Sequence, residues 1–448
     1  MITHSRPPVV TTLGFAAAGF FSFGLVCLVL LFAPEHLSGD PVRGPVLALT
    51  HLVTLGWIGS LLFAAAYLVG PLLAESELWS PRLATGHLAL HVSGLALLTT
   101  GFSLSRYDVA SIGAILLVAG LAALIVNLLV TGSRHSRWTP ANIAFQSALF
   151  WLAVTGVLAL LMLRGRLASP WLASPEMLIA LHAHFALFGF LAQALLAVSL
   201  RLMPKALGRE VRTRPLDTSA WTGWIALNTG LMLLVPAVAG GGPGFLVAVG
   251  AVIALGVACF AAGLARLLWT SRDRISWGAA THATGVALLV VIAAAALWRL
   301  PEVASGTLEQ NREWMRLYLS LALLGPFSFA IIGTAERMLP RLVWKLRFGP
   351  WAGRGRIPAP DSLAREAAAA PAYFCLLMAW IYFALGQWHE NQHAVRVGAI
   401  LLISGFAWFL VSISAALVRL AIGVTPDDLG LPPLPDERVP PSSSSPRS

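Results

Sequence analysis

The chain has 448 residues, 57% of them apolar and only 11% charged, with a formal net charge of +10. Soluble proteins carry about 25% charged residues, so this composition excludes a soluble globular fold. In a soluble protein the positive charge would suit nucleic acid. Spread over the loops of a membrane protein it reports topology and contact with anionic lipid, so the expected partner is the bilayer and no nucleic acid is expected.

Runs of about 20 apolar residues, the length that crosses a hydrocarbon core of about 30 Å, occur twelve times. They fall at roughly 11–33, 46–73, 82–103, 109–131, 140–163, 177–203, 220–237, 244–269, 277–298, 314–339, 366–388 and 394–420. The first is too long for the core of a signal peptide and is preceded only by Arg6, so it reads as a retained helix. The second carries His51, and the third carries His87 and His91. The sixth carries His182-Ala-His184 and the ninth His282. Between the eleventh and twelfth lies Trp388-His389-Glu-Asn-Gln-His393, and His4, His36 and His135 fall in a tail or loops. Cys27, Cys259 and Cys375 each lie inside a run and form no Cys-x-x-Cys pair, which excludes a disulfide framework and a thiolate metal site. The stretch from Leu431 to Ser448 is rich in Pro and Ser and reads as disordered. The expected organisation is one membrane domain over residues 1–425 and a tail over 426–448.

Lys and Arg concentrate after the even-numbered runs, most densely from Arg201 to Arg214 and from Arg337 to Arg365. The positive-inside rule then puts these loops and both termini in the cytoplasm of a bacterial inner membrane.

A long-period repeat sets the architecture. His51 is followed by Gly56 and Pro71, His184 by Gly189 and Pro204, and Ser320 by Gly325 and Pro340, at the same two offsets each time. The second and third copies share the ends Arg201-Leu-Met-Pro204-Lys and Arg337-Met-Leu-Pro340-Arg. The copies fall on runs two, six and ten. The fold class that follows is an all-α polytopic membrane protein of about 12 transmembrane helices, in three four-helix arcs with pseudo-threefold symmetry. The units span roughly 11–131, 140–269 and 277–420 and share one orientation, unlike the inverted repeats of many transporters. The Gly is read as a close-packing position, and the Pro as the end of each span.

Ionisable side chains inside a membrane are costly and tend to mark function. His51 and His184 hold equivalent places and are expected to face a common interior, as two axial ligands of one haem or as ligands of a copper ion; neutral imidazole serves both. His182 is next in line. Residues two apart on a helix point about 200° apart, so His182 and His184 address opposite flanks. His87 and His91, at i and i+4, share a face and have the spacing of a metal clamp. They equally suit a hydrogen-bonding stripe or a proton relay. No residue is assigned a catalytic role.

Three segments carry a resemblance: Thr50-His51-Leu-Val-Thr-Leu-Gly56; Leu181-His182-Ala-His184-Phe-Ala-Leu-Phe-Gly189-Phe190 with Arg201-Leu-Met-Pro204; and Arg337-Met-Leu-Pro340-Arg-Leu-Val-Trp344. With twelve helices in three arcs, the chain resembles a divergent subunit I of the haem-copper oxidases. The first two segments are also similar to the NnrS family of haem- and copper-containing membrane proteins, linked to nitric oxide stress. The resemblance implies one retained site for haem b or copper, with His51 and His184 as its cofactor- or metal-binding residues and His182 next; His87 and His91 remain metal candidates by their spacing alone.

It also marks departures. The oxidases carry His-x-His on the tenth helix; here Ser320 stands at the aligned position and that helix has no His. The copper-binding His pair of the seventh helix has no counterpart, and the cross-linked tyrosine has no clear position. The expectation is a haem- or copper-binding membrane protein without a full binuclear centre, acting in electron transfer, nitric oxide handling or metal-centre assembly. Its partners would be respiratory subunits or an electron donor. The alternatives are a cofactor-free transporter and a structural subunit of a respiratory complex.

Overall fold

The structure, a computed structural model, describes residues 9–40, 42–133, 138–167, 174–207, 214–271, 275–306, 311–353, 357–425 and 429. His4, His135 and the tail from Leu431 onward lie outside the described residues.

Twelve helices are long and apolar enough to cross a membrane. They are α1 (Val9–Phe32), α2 (Gly44–Ala74), α3 (Pro81–Ser103), α4 (Tyr107–Gly132), α5 (Pro140–Leu167), α6 (Pro175–Pro204), α7 (Asp217–Val238), α8 (Pro243–Trp269), α9 (Trp277–Ser305), α10 (Glu313–Arg347), α11 (Glu366–Trp388) and α12 (Gln392–Ser412). Helices are the open form of chain that satisfies its own backbone groups inside a bilayer. Several starts are written in the sequence: the Ser80, Ser174 and Ser276 side chains each accept a hydrogen bond from a backbone N–H three residues on, and Pro81 and Pro175 occupy the first helical position.

Consecutive helices pack as neighbours, and α1 closes the ring against α12. The first apolar run is thus an integral helix of the bundle, with Phe15 and Phe23 fully buried. Three helices stand apart by burial. Over their most apolar stretch α2, α6 and α10 are 61%, 83% and 72% buried, whereas the other nine lie between 28% and 39%. The helices that carry the repeat are therefore the inner three, and the outer nine turn residues such as Phe21, Ile115, Val157 and Ile400 to lipid.

The inner helices share a local feature. Each passes from α to π winding, over Leu52–Gly59, Phe185–Leu191 and Leu323–Phe327. Such segments inside α-helices often mark functional positions. His51 and His184 are each the last α residue before the change. The repeated glycines sit inside the π segments. A Cβ at Gly56 would stand 2.8 Å from Ser22 of α1, and one at Gly189 would stand 2.6 Å from the Trp151 ring of α5. Gly325 departs from this pattern and rests on Trp380 of α11.

Two expectations are corrected. The repeated prolines do not all end their helices. Pro71 and Pro204 sit in the last turn, but α10 runs on from Pro340 to Arg347. Here the residues beyond the proline have their own packing: Val343 and Phe348 form a small core with Leu363 and Ala416. The twelfth run is also not one helix to 420. It stops at Ser412, and a separate helix covers Ser414–Ile422. At the break the Ser412 carbonyl accepts from the Arg365 backbone N–H, and the Ser412 hydroxyl donates to Glu336 Oε1 of α10 at 3.1 Å.

Candidate functional site

A cavity of about 800 Å³ runs along both flanks of α6, between α2 and α10 and the outer helices α3–α5 and α7–α9. Its walls are largely Leu, Val, Ile and Phe, and His51, His182, His184, His91 and Tyr318 all line it. This volume falls in the ~300–1,000 Å³ range of ligand and cofactor sites.

Three of the four imidazoles are held in one way. His51 Nδ1 lies 2.7 Å from Leu47 O, His182 Nδ1 lies 3.2 Å from Thr155 O, and His184 Nδ1 lies 2.8 Å from Ala180 O. A carbonyl oxygen only accepts, so in each ring Nδ1 carries the proton and donates. Nε2 keeps its lone pair and has no hydrogen-bond partner among the described residues. A backbone bond to the far nitrogen is the usual way a metal-binding imidazole is oriented.

The pairing of these rings follows the pseudo-threefold. The His51 and His182 ring centroids are 6.4 Å apart, across the α2/α6 interface. The His184 ring lies on the other flank of α6, parallel to the ring of Tyr318 at 6.3 Å and 22°. The geometry thus brings His51 to His182 rather than to His184. The two flanks of the His-Ala-His segment are both used, as the 200° rule requires. The position marked by His51 in one unit meets the position two residues earlier in the next unit. By that rule Ser320 should meet Leu49 at the third interface, and both line a pocket of only about 40 Å³. The three interfaces are therefore His/His, His/Tyr and Ser/Leu.

Tyr318 is a site residue that the sequence reading passed over. Its signal was available: Tyr318 precedes Ser320 by two, as His182 precedes His184. Tyr318-Leu-Ser320 thus stands on α10 where His182-Ala-His184 stands on α6.

The remaining histidines are engaged elsewhere. His91 Nε2 is 3.0 Å from Ser60 Oγ and His87 Nδ1 is 3.0 Å from Tyr67 OH, with both rings packed between Phe15 and Phe63. His91 reaches the cavity wall, whereas His87 is fully buried, and its Nε2 has no hydrogen-bond partner. His282 bonds Ser199 of α6 at 2.8 Å and Thr334 of α10 at 3.0 Å, tying α9 to both. His389 and His393 are exposed, and Glu390 between them pairs with Arg316 of α10. Among the described residues no three His, Cys, Asp or Glu side chains converge as a metal cluster, and the three cysteines are free.

Comparison with solved structures places the architecture. The cryo-EM structure of a heme-copper terminal oxidase dimer superposes with a TM-score of 0.66, covering 93% of this chain and 85% of that one at 12% identity. The fold is haem-copper-oxidase-like. At that identity the likeness speaks for the fold alone. No protein-family model matches the chain, and no curated protein matches it by sequence. Within this fold, the α2/α10 interface pairs Ser320 with Leu49 beside a pocket of only about 40 Å³, whose one imidazole, His36, comes from the segment before α2. The α2/α6 interface is the one that offers two imidazoles and space.

Proposed function

We propose that the chain is a haem-binding membrane protein in which His51 of α2 and His182 of α6 would hold one haem b. One observation carries the reading: two rings with free Nε2 atoms stand 6.4 Å apart on the wall of an 800 Å³ cavity. An imidazole nitrogen lies about 1.1 Å from its ring centre and metal–nitrogen bonds to His are about 2.0–2.1 Å, so two rings gripping one metal stand about 6.3 Å apart. The expected copper fits less well. Protein copper and zinc sites commonly take three or four side-chain ligands, and two imidazoles fall short of such a set. Haem brings four nitrogens of its own and asks the chain for one or two.

Bound there, haem supplies a one-electron redox centre. The chain's part is orientation and exclusion. Leu47 O and Thr155 O fix the ring tautomers, and the apolar wall keeps water off the metal. With both His51 and His182 engaged, such a centre would suit electron transfer better than nitric oxide handling or metal-centre assembly. In this reading the protein lies in a bacterial inner membrane with its basic loops in the cytoplasm. The histidine end then faces the periplasm, where a respiratory electron donor would meet it.

The test is an absorbance spectrum of the purified protein from haem-replete cells, oxidised and reduced. The expected result is a Soret band with sharp reduced bands of a six-coordinate haem, lost in His51→Ala. A colourless wild-type preparation that also fails to take up added haem overturns the reading.

A further inference from the structure

The cavity has a polar end. Among its described lining residues only two carry a formal charge, Arg166 and Glu176. Arg166 is half-buried and stands one residue before the end of α5. Its guanidinium donates from Nη1 to Tyr107 OH at 3.1 Å and from Nη2 to Val42 O at 3.3 Å, and lies 5.0 Å over the Tyr107 ring. These partners are neutral, and no carboxylate among the described residues lies within ion-pair distance of it. A guanidinium carries five N–H donors in a fixed fork, so donors remain unused. A partly desolvated cation without a counter-ion is unfavourable until an anion joins it.

The position of this cation relative to the imidazoles is set by the helices. Thr155, whose carbonyl receives the His182 ring, lies eleven residues before Arg166 on α5, or about 16 Å along the axis. Val42, which receives the guanidinium, lies nine residues before His51 and just outside α2. The charge and the imidazole pair are thus at different depths of one cavity, with apolar wall between. That arrangement matches an amphiphile lying along the cavity, with its metal-holding body deep and an acidic group at the mouth.

We propose that Arg166 anchors a carboxylate of the cavity's ligand and so selects ligands that carry an acidic group on an apolar body. The assignment rests on the haem reading, where the acidic group is a haem propionate. Tyr107 and Val42 hold the fork in place, and charge-assisted bonds from a guanidinium to a carboxylate are the strong kind. Glu176, in the first turn of α6, is the other charged residue of the lining and offers an anion no bond, so Arg166 is the lining's one cationic anchor among the described residues.

The experiment is an equilibrium titration of the purified full chain in detergent, followed by absorbance, with two probes: ferric protohaem and its dimethyl ester, in which both carboxylates are capped. Wild type should prefer the free acid by about tenfold or more. Arg166→Gln should reduce that preference to about twofold or less by weakening the free acid alone, and Arg166→Lys should restore part of it. The ester affinity reports whether each variant is folded. A wild-type preference near one, or a preference unchanged in Arg166→Gln, overturns the anchor while leaving the haem reading in place. Failure of wild type to bind either probe overturns the haem reading itself. If Arg166→Gln loses both affinities, the wild-type preference and the Arg166→Lys variant decide the question.

Discussion

The His51 and His182 rings meet across the α2/α6 interface at 6.4 Å, while His184, only two residues along the same helix, faces the Tyr318 ring instead. A three-residue segment therefore serves two different interfaces. This separates the roles of its histidines. His182→Ala should abolish the six-coordinate haem spectrum as completely as His51→Ala does. His184→Ala should keep it, with haem content within about twofold of wild type. Haem-to-protein ratios of the three variants check this, and loss of the spectrum in His184→Ala but not in His182→Ala would reverse the assignment.

The close-packed glycines of the inner helices should show a contrast in stability. A Cβ at Gly189 would meet the Trp151 ring at 2.6 Å, with Trp151 itself tied to Asn228 at 2.8 Å. The ring has no freedom to retreat, so Gly189→Ala should cost ~1–3 kcal/mol by overpacking. Gly24, on the lipid-facing α1, has no neighbour within 4 Å. Gly24→Ala should be neutral or stabilise by up to ~1 kcal/mol, since Ala is the better helix former. Thermal unfolding in detergent should therefore move in opposite directions for the two variants, or fall only for Gly189→Ala.

Much of the architecture was legible because the repeat sits on helices that share one environment. A Gly and a Pro at fixed offsets recur only where an inner helix must pack closely, and burial later singles out the same three helices. The interior placement of His51, His182 and His184 follows from that, while the count of twelve comes from the apolar runs alone. The partner of each ring was not legible. Whether His51 meets His182 or His184 depends on the azimuth of two helices, and the π turns beginning at Leu52 and Phe185 change that azimuth. Tyr318 escaped for a chemical reason, since a tyrosine on a membrane helix reads as an interface anchor. The end of α12 was missed because the apolar run continues through Ile413, while the helix stops where Ser412 is tied to Arg365 and Glu336.

His282 should behave differently from the cavity histidines. Both of its nitrogens are engaged, with Ser199 on one side and with Thr334 and Ala330 O on the other. It joins α9 to α6 and α10, and neither it nor its partners line the cavity. His282→Leu should destabilise by ~1–3 kcal/mol through the loss of buried hydrogen bonds, while haem content per folded protein stays unchanged. His51→Ala should show the reverse, with little effect on unfolding of the haem-free protein and complete loss of cofactor. Measuring stability and haem content together distinguishes a structural histidine from a ligand, and loss of haem in folded His282→Leu would contradict this division.

The third interface offers the strictest test of why only one haem is expected. Ser320 occupies the place that His51 and His184 hold in the other units, so Ser320→His restores the missing imidazole to the frame. If residue identity alone decided cofactor binding, the variant would gain a second haem. Space argues otherwise. The pocket at Ser320 and Leu49 holds about 40 Å³, against about 800 Å³ in the one cavity that serves both the His51/His182 and the His184/Tyr318 interfaces. Cores filled past their volume lose about 1–3 kcal/mol, and a group as large as haem has no room between these helices. The partner position is Leu49, which donates no ligand. Ser320→His, and Leu49→His combined with it, should therefore retain one haem per chain with a lowered unfolding temperature. A haem-to-protein ratio rising toward two in the double variant would show that the α2/α10 interface opens on demand and that ligand identity, not packing, set the count.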